Sequence, residues 1–192
     1  MHVHDGAVPR FADRNSGCGG DRHFLLMLVG TPTIPMMSGK LAKEINKSSP
    51  FASVEQEAHL NLLRTADALM RGFEALFKPH NLSGTQYNVL RILRGHGPEG
   101  CPCKVVGEEL ITRDPDITRL LDRLETRGLI TRERSAEDRR VVTARITPAG
   151  QHLLVQLDAP VETLHHRQLG HMPPRELEAL VDLLERARQS VG

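Results

Sequence analysis

Two short clusters of cations carry most of the chemistry this chain could perform. One is Thr118, Arg119 and Arg123 in "DPDITRLLDRLETRGLI"; the other is Asp138, Arg139 and Arg140 in "EDRRVVTARITPAG". A guanidinium is a permanent, planar cation that matches phosphate oxygens and base edges. A carboxylate beside it can hold it in one orientation by a charge-assisted bond, which lowers the entropy lost when it enters a groove. Two other sets invite chemistry more weakly. Cys101 and Cys103, in "CPC", could act as redox sensors, since a helix N-terminus lowers a thiol pKa. Their bland alternative is an apolar filler at Cys101 and a residue close to the helix cap at Cys103. His165, His166 and His171 suggest metal. Adjacent residues on a helix diverge by about 100°, and no Cys or carboxylate completes a tetrahedral set, so neither metal nor cofactor is assigned.

These residues need elements to position them. Ile117, Leu120, Leu121 and Leu124 recur at i, i+3, i+4, i+7 and give one helix face to the core, which turns Thr118, Arg119, Asp122 and Arg123 away from it. At that spacing Asp122 and Glu125 are placed to neutralise Arg123. Asp114 is the expected N-cap, Pro115 the first helical residue and Gly128 the left-handed stop. A short helix in "CKVVGEELI" precedes it, joined through residues around Thr112. Downstream, Leu129 to Arg134 and Arg140 to Ile146 are predicted as strands around the tip "SAEDR". Strand alternation puts Asp138 and Arg140 on one face with Val142, Ala144 and Ile146, and Arg139 on the other. Arg140 then stands where the core face runs off the domain.

Thr147 caps the next helix, with Pro148 first, running to about Gly170; "PPRELEALVDLLERAR" supplies the last. Upstream, a capping box of Ser53 and Gln56 opens a long helix with a stripe of Leu62, Ala66, Leu69, Phe73, Leu76 and Phe77, ended by Pro79 and Asn81. A second box, Ser83 with Gln86, follows at once, with Leu82 placed to staple Tyr87.

Composition bounds the rest. A chain of 192 residues, 39% hydrophobic and 26% charged, suffices for one core plus extensions. Its net charge of +1 neither favours nor excludes nucleic acid, so any basic surface is local. Three cysteines are too few for a disulfide scaffold and fit a reducing compartment, the cytoplasm. The apolar run Phe24 to Val29 is too short to span a bilayer, so no membrane partner is expected. Residues 1–50 are rich in Gly, Pro and Ser and are expected to be disordered, or to be an over-extended reading of a gene that starts at Met36 or Met37. Residues 51–192 form the domain.

Helix, short turn, helix and antiparallel hairpin describe a winged helix-turn-helix, here over residues 83–147. Its second helix enters the major groove and its hairpin reaches the adjacent minor groove. In "DPDITRLLDRLETRGLITRER", "DRRVVTARIT" and the following "PAG", with "LSGTQYNVLRIL" upstream, the chain resembles the MarR family of transcriptional regulators. The resemblance covers roughly Ser53 to Arg188 and implies a mainly α fold with a small β-hairpin wing. It also implies a non-enzymatic homodimer, with helices 53–78 and 148–190 interleaving, that binds double-stranded DNA at pseudo-palindromic operators. On the motif's positions, Thr118 and Arg119 are major-groove contacts, with Arg123 beside them; Arg140 is the wing-tip arginine, Asp138 its partner and Arg139 its neighbour. The function implied is a repressor relieved by a small-molecule or redox effector. Phe73, Phe77 and Tyr87 are core, or line the space where relatives often bind small aromatic effectors. The family's peroxide-sensing branch uses a Cys in the first long helix, and none stands between Ser53 and Lys78. Pro115 and Asp116 depart from the small or hydroxyl residues usual early in the reading helix, which leaves base preference there open. The rival readings are a winged helix that binds protein instead of DNA, and a thiol oxidoreductase built on Cys101 and Cys103.

Overall fold

A computed structural model describes residues 39–112, 116–135, 138 and 140–189. Three sequence expectations lie outside them: the character of residues 1–38, the capping roles of Asp114 and Pro115, and the placement of Arg139.

Within the segment expected to be irregular, Lys40–Glu44 forms a short helix, α1. It is held because Leu41 and Phe51 are buried and the Gly39 amide donates to Glu57 Oε1 at 3.1 Å. The long helix α2 spans Val54–Phe77 and its Ser53 hydroxyl accepts from the Gln56 amide. The reciprocal bond goes elsewhere: the Gln56 side chain accepts from Ala52 at 2.7 Å, so the expected box is offset by one residue. The box on α3, Gly84–Gly95, is complete in both directions.

The stripe on α2 is covered only at its C-terminal end. Phe77 is fully buried and stacks on Tyr87 at 4.6 Å, whereas Leu62 and Leu63 remain 44% and 56% exposed. The N-terminal part of the stripe therefore faces solvent on this chain.

A two-residue strand, β1 (Cys101–Pro102), leads into α4 (Cys103–Glu109). Then come α5 (Ile117–Thr126), β2 (Ile130–Arg134), β3 (Val142–Ile146), α6 (Pro148–Leu169) and α7 (Pro174–Gln189). The sheet is antiparallel in the order β1-β3-β2, with Cys101 opposite Ala144 and Arg134 opposite Val142. The wing strand therefore starts at Val142, not Arg140, and β2 ends at Arg134. Gly100 has φ +67°, and a β-carbon there would collide with the Ala144 carbonyl, so glycine is what lets β1 approach β3.

The core lies between α3, α5, α6 and the sheet, where Leu90, Leu93, Leu121, Leu124, Ala144 and Leu157 have no more than 1% exposure. Arg94 on α3 makes a two-pronged bond to Asp158 on α6, at 2.8 and 2.9 Å. Arg127, just past α5, donates to the carbonyls of Asn81 and His80, at 2.6 and 2.8 Å. By contrast α7 buries no residue, and Val181 and Leu183 on it are more than half exposed.

Candidate nucleic-acid interface

Among the described residues, α5 begins at Ile117. Its cap is Asp116, whose Oδ1 accepts from the Arg119 amide at 3.2 Å, so Ile117, Thr118 and Arg119 form the first turn. The other Asp116 oxygen lies 3.2 Å from Arg119 Nε. One carboxylate thus caps the helix and restrains the arginine, and its charge suits the positive end of the helix dipole.

Thr118, Arg119 and Arg123 are exposed on α5, while Leu120, Leu121 and Leu124 are buried. The expected neutralisation of Arg123 does not occur. Asp122 and Glu125 are both bound to Arg132 on β2, leaving Arg123 without an ion pair among the described residues. Spacing and periodicity assigned no role to Arg132. Glu125 takes its backbone amide and Nε at 2.9 Å each and its Nη2 at 2.7 Å, and Asp122 also receives Nη2. These bonds hold the guanidinium charged, raising its pKa against the opposing effect of burial.

Along β2, Ile130, Arg132 and Arg134 share one face. Ile130 is buried, Arg132 is one-fifth exposed and Arg134 is open, so that face passes from core to solvent along the wing. Arg134 also escaped the motif, although strand alternation from Ile130 would have found it. On the opposite face Glu133 pairs with Arg145 at 2.7 Å.

In the wing loop, Asp138 Oδ1 accepts from the backbone amide of Arg140 at 2.9 Å. The carboxylate therefore fixes the loop backbone rather than the Arg140 guanidinium, because residues 138 and 140 lie in a turn before the strand begins and do not share a strand face. Arg140 is exposed and, like Arg134, forms no ion pair among the described residues.

The two cysteines are free thiols in different settings, Cys101 buried and Cys103 half-buried. Cys101 is a buried strand residue, and burial, then the Glu109 and Cys103 charges, push its pKa up. Burial also raises Cys103, against the Arg132 charge that favours its thiolate. Neither thiol has the lowered pKa expected at a helix start, since α4 opens from a sheet strand into the core. His165 packs on Phe73 with ring centres 5.5 Å apart, and His166 lies 4.0 Å from Glu162.

A cleft of about 160 Å³ opens between α2, α3 and the turn after α4. Phe73 and Phe77 line it with Met70, Thr85, Asn88 and Ile111, whereas Tyr87 is core. The Ile111 amide donates to Asn88 Oδ1 at 2.9 Å, which ties the turn leading to α5 to the cleft wall.

Among known proteins, the MarR family model matches residues 80–141. A solved MarR transcription factor from Planctomyces limnophilus is 46% identical, with a TM-score of 0.56 over 71% of this chain and 98% of that one. BpsR of Bordetella bronchiseptica, whose DNA binding is regulated by 6-hydroxynicotinic acid, is 26% identical, with a TM-score of 0.64 over 73% and 98% of the two chains. The homoprotocatechuate degradative operon repressor of Escherichia coli is 28% identical over 124 residues, 65% of this chain and 82% of that protein.

Proposed function

The chain belongs to the MarR family and is a DNA-binding transcriptional regulator, and from that premise we propose that it is a homodimeric repressor released by a small aromatic effector. The observation that carries the DNA reading is the split of α5 into a buried leucine face and an exposed face bearing Thr118, Arg119 and Arg123. With its neighbouring carboxylates engaged by Arg132, Arg123 is left to contact phosphate. Thr118 and Arg119, in the first turn, read base edges in the major groove. Arg140, on a loop braced by Asp138, enters the minor groove, with Arg134 and Arg139 close by along the chain.

The open apolar faces support the pairing of two chains. Leu62 and Leu63 on α2, Val155 on α6, and Val181 and Leu183 on α7 are each at least 44% exposed on one chain. A symmetric partner covering them places two copies of α5 on one side of a duplex, and a two-fold protein reads a pseudo-palindrome. The cleft beside Phe73 and Phe77 is the effector site in this reading. Its size matches a single ring, since an apolar cavity of roughly 150 Å³ holds benzene. The upward shift of both thiols favours a small molecule over a redox signal, and disfavours a thiol oxidoreductase. No helix among the described residues is long and apolar enough to cross a membrane, and we place the protein with its DNA in the cytoplasm.

Selection of bound sequences from random duplex DNA tests this function. The expected product is an inverted repeat with half-sites about one helical turn apart. Enrichment of no sequence, with retention instead of protein partners, would favour the winged helix as a protein-interaction module.

A further inference from the structure

Arg132 is the cation in this region least able to reach a ligand, since its side chain is 20% exposed against 77% for Arg119. It is also the most heavily bonded. Its guanidinium and its own backbone amide hold Asp122 and Glu125, which lie three residues apart on one side of α5. Arg132 is the middle residue of β2, paired with Ala144 of β3, so a bond to it is a bond to the hairpin. The covalent connection between α5 and β2 is only residues 127–129, and Gly128 in it has φ +67°. This joint is closed by backbone bonds, the Gly128 amide to the Glu125 carbonyl at 2.8 Å and the Leu129 amide to the Leu124 carbonyl at 3.0 Å, and Arg132 adds a side-chain link across it.

We infer that Arg132 is a positioning residue for DNA binding: by clamping Asp122 and Glu125 of α5 to β2, it fixes the helix and the wing at one spacing, so that both engage the duplex together. It does this without touching the nucleic acid. The inference rests on the proposed roles of α5 and the wing. Arginine suits the task because its fork meets two carboxylates at once in fixed geometry, which a lysine point charge does not.

The clamp and simple electrostatics predict opposite signs. Glu125→Gln removes a negative charge from a helix that approaches phosphate, so electrostatics alone tightens binding. Loss of the clamp weakens it. The test titrates the operator obtained by selection with the full chain, with Glu125→Gln, with Arg140→Ala and with the double variant, each first shown folded by thermal melting. In the unmodified background Arg140→Ala is expected to weaken binding roughly 5- to 150-fold. Glu125→Gln also weakens it, and in that background Arg140→Ala costs less than half the factor it costs alone, because a wing no longer held in place has little contact to lose. Tighter or unchanged binding by Glu125→Gln, or factors that simply multiply in the double variant, overturns the clamp. If Glu125→Gln fails to fold, Arg132→Lys keeps the charge without the fork and is read by the same non-additivity. An Arg140→Ala variant that binds as well as the parent overturns the underlying wing reading, an outcome separable from failure of the clamp alone.

Discussion

A carboxylate near a basic recognition surface can either cancel it or organise it, and residue by residue this chain does the second. Asp116 caps α5 and restrains Arg119, Asp138 fixes the wing-loop backbone, and Asp122 with Glu125 engage Arg132. The sequence spacing revealed which acids stood near which bases, but not which base each would choose. Asp122 adjoins Arg123 in the chain, yet side chains at neighbouring helical positions point about 100° apart, while Arg132 reaches both carboxylates from β2. Arg123 is consequently the freest cation on α5. Arg123→Ala should weaken binding about equally to all operator variants and reduce the slope of log affinity against log salt by about one. Titration at several salt concentrations measures this, and loss confined to one base position would reassign Arg123 to base reading.

At the level of elements, the helices were legible because their caps and apolar periods are local. Ser83 with Gln86, Thr147 with Pro148, and the Leu120, Leu121 and Leu124 stripe all stand as expected. What escaped was non-local. Strand β1 exists only because β3 accepts it, and a two-residue strand has no period to detect. Helix α1 is likewise held by packing at Leu41 and by Glu57, 18 residues beyond Gly39. The apolar stripe on α2 is covered within the chain only at its C-terminal end, around Phe77, and its N-terminal part stays open. If α7 completes that missing cover with a second copy, Leu183→Glu should split the dimer, because burying a charge in place of a leucine forfeits about 1.5–3 kcal/mol of burial and adds a desolvation cost. Since α7 buries nothing within the chain, the monomer's own core is untouched. Sedimentation velocity measures the change, and an unaltered dimer would remove Leu183 from the interface.

For the molecule as a whole, ionisable contacts bound the range of stability. The Arg94 bond holds the Asp158 carboxyl below its ordinary value, so its contribution is complete above an unfolded pKa of about 3.9 and is lost as pH falls through the native value. Cys101 has the opposite sign: its raised pKa contributes fully below about pH 8.5 and progressively less as pH rises. Melting temperature should therefore decline at both ends, with Asp158→Asn flattening the acid limb and Cys101→Ala the alkaline one. A variant that keeps the parent's full slope at its own end would exclude that group as a cause.

The bare flank formed by α2 and α7 has a consequence for dosage. If two copies must meet before that flank is dry, the population of competent regulator grows with the square of chain concentration while chains are scarce, and only linearly once they are plentiful. A modest drop in synthesis would then empty the operator abruptly, giving the gene it guards a threshold that owes nothing to the effector.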